Sequence, residues 1–202
     1  LTADILLKIF KASPETVDTV NLSMNFLGSS LLGRRCFSTD ELVTVLKALP
    51  KNVICLDLSH NNLHYLCADD FVEILQTLSA QLKSLNLASN NLEKYSADDL
   101  IKILKALPQN LISLDLSLNS LRHYSHEERL QILSSLPKVK HLNLSHTDLN
   151  ELTGINFSAL CAVLPEGLVS LDLSGNELFR LSPQELQQAI SGICADQLMS
   201  LY

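Results

Sequence analysis

Apolar residues in this chain recur at a spacing that no amphipathic helix produces. In "LISLDLSLNSL", beginning at Leu111, leucines hold the first, fourth, sixth and eleventh positions, with small polar residues between them. The alternation Ser113–Leu114–Asp115–Leu116–Ser117 has the period of a strand with one buried face. The same frame returns from Val17, Val53, Leu82, Val139 and Leu168, and "LMSLY" from Leu198 begins a further, partial copy. Steps between starts are 36, 29, 29, 28, 29 and 30 residues, a period that marks a repeat architecture.

A helical pattern follows each strand frame. In "YSADDLIKILKALP" (95–108), Ser96 stands as N-cap and acidic residues fill the first turn, while Leu100, Ile103, Leu104 and Leu107 share one face. "STDE" (38–41), "SHEE" (125–128) and "SPQE" (182–185) are capping boxes, the last with Pro183 at the first helical position. Pro50, Pro108, Pro137 and Pro165 close helices at equivalent places, and residues 1–16 read as the helix of a truncated preceding repeat. Each unit is therefore strand, loop, helix, loop, and neither element can bury its apolar side alone. Stacking solves this: strands form a parallel sheet, helices an outer layer, and leucines fill the space between. Helices are about 10 Å wide and strands about 4.8 Å apart, so the stack curves with its strands inside. The expected fold is an α/β solenoid, one horseshoe-shaped domain over 1–202 with the sheet on its concave face. Asn25, Asn61, Asn90, Asn119 and Asn176 recur at the ninth position, where a buried amide can satisfy backbone groups of the turn. Thr147 breaks that column and is expected to weaken it.

The frame L-x-x-L-x-L-x-x-N-x-L, in helical units of 28–29 residues, resembles the leucine-rich-repeat proteins and in particular the ribonuclease-inhibitor-like subfamily. The resemblance covers essentially the whole sequence. It implies a protein-binding scaffold without naming a partner. Domains similar to this also occur among effectors that intracellular bacterial pathogens deliver into host cells, which implies a host cytosol as one location.

Composition narrows the function classes. Lys and Arg number 15 against 22 Asp and Glu, a formal charge of −7 with pI near 5.3, which argues against a nucleic-acid partner. Mean hydropathy is high at +0.18, yet no uncharged apolar run is long enough to insert in a membrane. Five cysteines, at 36, 55, 67, 161 and 194, form no CxxC pair, which suits free thiols in a reducing, cytoplasmic compartment. No signal peptide is visible; the chain opens on Leu1 rather than Met and reads as a fragment.

Strand alternation points the third, fifth and seventh positions of each unit to the concave floor. The third reads Thr19, Cys55, Ser84, Ser113, His141, Ser170 and Ser200, and the fifth Asn21, Asp57, Asn86, Asp115, Asn143, Asp172 and Tyr202. The seventh reads Ser23, Ser59, Ala88, Ser117, Ser145 and Ser174. Alternation of Asp with Asn is either ordinary sheet surface that keeps like charges apart or a means of attracting a basic projection of a partner. On the second reading, replacing Asp57, Asp115 and Asp172 by Lys is expected to impair binding and leave the fold intact. Larger side chains stand along the loop edge: Met24, His60, Leu118 and His146 at the eighth position, then Tyr65, Lys94, His123, Glu151 and Arg180 further on, beside His64, Glu93, Arg122, Asn150 and Phe179. These are anchor types for protein partners or simply solvated loop residues. Leu66, Tyr95, Tyr124, Leu152 and Leu181, just before the caps, read as hydrophobic staples. The first unit carries about seven extra residues in "LGSSLLGRRCF" (27–37), where Arg34 and Arg35 offer a further contact or pack on preceding repeats.

Catalysis finds no support in this spacing. Cys55 and His141 share a column three strands apart, about 14 Å, and His60 and His146 are separated by the same three steps, too far to share a metal. Cys55 and His60, five residues apart, span about 16 Å if extended. Cys161 falls on a core helix position and Cys194 in place of a helix-ending proline. No phosphate loop, HExxH or nucleophile elbow occurs. The reading is a module without cofactor, metal or small-molecule ligand that grips a folded protein, as an inhibitor covering an enzyme's active site or as an adaptor recruiting a host protein; an enzyme is the distant alternative.

Overall fold

The strand frames fold as very short strands set between helices. A computed structural model describes residues 2–28, 37–149, 153–191 and 200–201. In chain order these form α1 (Ala3–Ala12), β1 (Thr19–Asn21), α2 (Thr39–Lys47), β2 (Cys55–Asp57), α3 (Ala68–Gln76), β3 (Ser84–Asn86) and α4 (Ala97–Lys105). They continue as β4 (Ser113–Asp115), α5 (His126–Ser134), β5 (His141–Asn143), α6 (Gly154–Val163), β6 (Ser170–Asp172), α7 (Pro183–Ser191) and β7 (Ser200–Leu201). All strands lie in one parallel sheet in sequence order. The register pairs equivalent residues, so Val20, Leu56, Leu85, Leu114, Leu142 and Leu171 make one row facing the helices.

Those leucines are buried, as are Leu58, Leu87, Leu144 and Leu173 two residues on, and Phe71, Ile103, Ile132 and Phe157 meet them from the helices. At about 1.5–3 kcal/mol for each large side chain taken from water, this one continuous layer dominates the stability. The helices start where the sequence places their caps. Ser38 and Ser125 complete capping boxes with Glu41 and Glu128, and Ser96 accepts from Asp99 N–H. Glu128 and Glu185 accept the backbone N–H and hydroxyl of Ser125 and Ser182, which holds both carboxyls below their usual range. Cys67 and Thr153 cap α3 and α6, Cys67 by accepting Asp70 N–H at 3.4 Å on its sulfur. α1 occupies the middle of the expected 1–16 segment.

The asparagine column is a ladder of hydrogen bonds between repeats. Asn90 Nδ2 donates to the carbonyls of Leu58, Leu87 and Ala88, while its Oδ1 accepts the N–H groups of Asn61 and Leu63 from the preceding repeat. Asn61 and Asn119 repeat the arrangement. Thr147 interrupts it. Its hydroxyl, shorter and with a single proton, turns to Leu144 C=O at 2.7 Å and Asn176 Oδ1 at 3.2 Å, and Leu121 N–H falls back on the Thr147 carbonyl. Among the described residues no ladder amide receives Asn119 N–H, and Asn119 and Thr147 help line a cavity of about 20 Å³ that reaches Leu100, Leu104, Ile132 and Leu133 of the helices.

Candidate protein-binding surface

Two rows build the surface. The fifth-position side chains lie side by side across the sheet, with Asp57 against Asn86, Asn86 against Asp115, Asp115 against Asn143 and Asn143 against Asp172. Each row member caps its own turn: Asp57, Asn86, Asp115, Asn143 and Asp172 accept the N–H two residues on, all at 2.9 Å. Neighbours are linked as well, with Asn21 Nδ2 donating to Asp57 at 3.3 Å and Asn143 Nδ2 to Asp115 at 3.1 Å. Alternation of Asp and Asn is therefore a hydrogen-bond pattern, since an amide can donate to a neighbouring carboxylate where a second carboxylate would repel it. These bonds bear on the expectation that Asp-to-Lys changes at 57, 115 and 172 spare the fold. Lysine has no acceptor, and each change would strip a turn N–H of its partner.

The seventh position also departs from expectation. Ser59, Ala88, Ser117 and Ser145 are buried rather than lining the floor, because the chain is already turning inward there. His60 stands beyond the end of β2 with φ +55°, so the extended Cys55–His60 segment imagined from the sequence is bent. The floor that remains open consists of the third and fifth positions. Cys55, Ser84, Ser113 and His141 form one row, which sets Cys55 and His141 three strands apart, and a shallow recess spans Ser113, Asp115, His141, Asn143, Ser170 and Asp172.

The second row is the eighth position, at the edge where strands end, here called the trailing edge. Backbone bonds run through it: Met24 N–H to Ser59, His60 N–H to Ala88, Ser89 N–H to Ser117, Leu118 N–H to Ser145 and His146 N–H to Ser174 carbonyls, at 2.9–3.1 Å. Every residue of the row has left-handed backbone, from Met24 (φ +58°) through Leu118 (φ +57°) to Gly175 (φ +70°). Such a conformation costs a non-glycine residue about 1–2 kcal/mol, and for bulky residues it is a marked outlier. Met24 is nonetheless 66% exposed and Leu118 49%, and Phe26, with φ +55°, is 43% exposed. The left-handed turn is invisible to strand periodicity, although Gly175 marks it in one copy. His146 lays its imidazole over Gly175, filling the space a side chain would need.

Further along this edge Tyr65 and Phe179 are exposed, and Tyr65 stacks on His64 with ring centroids 4.1 Å apart. Lys94 and His123 are exposed, and Arg180 is paired with Glu177 at 2.7 Å. Beneath them Tyr95 donates its hydroxyl to the Leu63 and Leu66 carbonyls, and Tyr124 to those of Leu92 and Tyr95. The expected staples thus also satisfy turn carbonyls of the repeat before. Burial, reinforced by Glu93 and Glu128, pushes the Tyr124 hydroxyl up to about 12; Tyr95 is raised further, chiefly by burial. Burial also pushes the Cys161 thiol up to about 12, which suits a core residue rather than a nucleophile. No group of His, Cys, Asp and Glu among the described residues is arranged to hold a metal ion. Arg34, Arg35, Asn150, Glu151, Leu152, Cys194 and Tyr202 lie outside the described residues.

A family model described as Leucine Rich Repeat matches residues 167–189. No curated protein matches the chain in sequence. Among solved structures, the chain is similar to the leucine-rich repeat-containing protein LegL7 from Legionella pneumophila, at 33% identity and TM-score 0.86 over 100% of this chain. It spans 61% of LegL7's length. A chain of the yeast Rad7–Elc1 complex, 16% identical, matches at TM-score 0.54 over 99% of this chain and 53% of its own length, a likeness of fold.

Proposed function

The chain is a leucine-rich-repeat protein, and on that premise we propose that it binds a folded protein partner through its trailing edge and the adjoining concave floor. Leucine-rich-repeat folds generally mediate protein–protein interaction. The observation that carries the assignment is the eighth-position row, together with Phe26 beside it. Exposed Met24, Phe26 and Leu118 stand on left-handed backbone where Gly175 shows that glycine suffices. Stability gives no reason to keep bulky apolar side chains at strained, exposed positions, whereas contact with a partner does. His60, His146, Tyr65, Lys94, His123 and Arg180 extend that contact along the edge, and Asn86, Asn143, His141 and the three aspartates form the floor beside it. A rigid array of this kind binds without a large ordering cost, which favours a stoichiometric complex.

Two consequences of binding follow. The partner is an enzyme whose active site the curved face covers, or it is a host protein recruited by a bacterial effector. Likeness to a Legionella pneumophila protein favours the second. Affinity capture with the wild type and with Met24→Gly, Phe26→Gly and Leu118→Gly variants tests the surface. Glycine preserves the backbone and its hydrogen bonds, so the expected outcome is unchanged or raised melting with capture of the wild-type partner lost. Undiminished capture by all three variants would move the site elsewhere.

A further inference from the structure

Charged residues recur at fixed places in the repeats. Where helices begin, at the trailing edge, pairs of carboxylates recur at Asp40–Glu41, Asp69–Asp70, Asp98–Asp99 and Glu127–Glu128. At the opposite edge, where helices end and strands begin, Lys47, Lys51, Lys83, Lys105, Lys138 and Lys140 follow one another. Lys138 lies 3.7 Å from Glu166, and the other five form no ion pair among the described residues. A chain with net charge −7 thus carries a cationic stretch along this edge from Lys47 to Lys140, bounded by Glu15 and Asp18 on one side and Glu166 on the other.

Lys47 and Lys105 sit in last helical turns, where the helix dipole favours them. That explanation does not reach Lys83 and Lys140, which stand at the second position of their repeats, off any helix. The backbone ladder extends to this position: Lys83 N–H donates to Ile54 C=O at 2.7 Å, Ile112 N–H to Lys83 C=O at 2.7 Å and Lys140 N–H to Ile112 C=O at 2.9 Å. Ile54, Lys83, Ile112 and Lys140 are therefore a fixed stretch of a row, one residue per strand at steps of about 4.8 Å, alternating apolar and cationic between Asp18 at one end and Val169 at the other. Ile54 and Ile112 are each 39% exposed, so the row is not a stray margin of the core. Beside it, Lys47 and Lys51 line a recess of about 260 Å³ whose wall includes Val53 and Leu82, the residues preceding Ile54 and Lys83.

We infer that this edge binds an acidic polypeptide segment of a protein partner, with carboxylates on Lys83 and Lys140 and apolar side chains on Ile54 and Ile112. The two ammonium groups stand on strands two steps, about 10 Å, apart. A helix laid across the strands presents side chains once per turn, every 5.4 Å or so, close to the strand spacing. Alternate acidic and apolar side chains at i, i+4, i+7 and i+11 then follow the row with a drift of about 2 Å across its length. A nucleic acid matches the lysines but carries a phosphate at every nucleotide, with none replaced by an apolar group opposite an isoleucine. This surface lies opposite the trailing edge, so one chain could hold two partners.

The test is a fluorescence-anisotropy titration with a labelled helical peptide carrying Glu and Leu at that alternation, the same peptide with Gln for Glu, and a 12-nucleotide single strand. The Glu peptide is expected to bind about five-fold or more tightly than the Gln peptide at low salt, the value of two exposed charge pairs. That preference should vanish in Lys83→Glu/Lys140→Glu, and in Lys83→Gln/Lys140→Gln should the reversed charges disturb folding. It should persist in Leu118→Gly, which separates this edge from the other. Equal binding of the two peptides, a preference that survives both double variants, or tighter binding of the oligonucleotide would overturn the assignment.

Discussion

Completing the asparagine ladder at its one break is expected to stabilise the protein. Threonine and asparagine have nearly equal volume, and Thr147 and Asn119 both line one small cavity in the core. By analogy with Asn90, Thr147→Asn would donate from Nδ2 to the Leu116 and Leu144 carbonyls and accept Asn119 and Leu121 N–H on Oδ1. It gives up the hydroxyl bonds to Leu144 and Asn176, of which the first is replaced in kind. The net gain is a partner for buried Asn119 N–H, whose unmet desolvation costs about 1–3 kcal/mol. For a chain of 202 residues that is about 2–4 °C in Tm per kcal/mol, a rise of roughly 2–12 °C. The converse change, Asn90→Ala, removes five hydrogen bonds and leaves two buried N–H groups orphaned. It should cost about 3–5 kcal/mol. Thermal and urea unfolding read both. A folded Thr147→Asn variant that melts at or below the wild-type temperature would show that Asn119 N–H is already satisfied and refute the reasoning.

Other consequences follow from the same contacts. Gly28→Ala should destabilise by about 1–3 kcal/mol in urea unfolding, because the new methyl would run into the Asn62 carbonyl oxygen and Leu63 Cα, backbone atoms that cannot swing away. The Tyr124 hydroxyl, raised in the fold to about 12, contributes stability that is fully present below the unfolded value near 10 and lost as pH climbs from 10 towards 12. Melting should fall over that window, and Tyr124→Phe should start about 1 kcal/mol lower at neutral pH and fall less steeply. Asp115→Asn keeps the acceptor for Ser117 N–H while Asp115→Lys does not, so circular-dichroism melts should separate the two, the lysine variant melting lower.

Fold and register were legible in the leucine and asparagine columns, because burying one face in a repeating stack leaves no freedom in which residues point inward. Caps written as Ser-x-x-Glu were equally plain, whereas Cys67 serves as a cap through a sulfur that composition rules do not flag. The candidate surface was legible by position but not by mechanism. That the floor aspartates hold turn N–H groups follows from where the strands stop, and the strands stop because the eighth residue adopts left-handed backbone. Nothing in the residue types Met, His, Ser and Leu announces that conformation; only Gly175 does. Burial of Ser117 and its equivalents has the same origin, since alternation fails once the chain bends. The hydroxyl bonds of Tyr95 and Tyr124 join separate repeats and become visible only when the repeats are stacked.

The most direct test places a photo-crosslinking benzoylphenylalanine at Leu118 on the trailing edge or at exposed Glu73 on α3 of the outer layer, in cells or lysate containing the partner. One protein crosslinked from position 118 and absent from position 73 is the expected result. The same adduct arising from position 73 alone would put the partner on the helices and contradict a trailing-edge site.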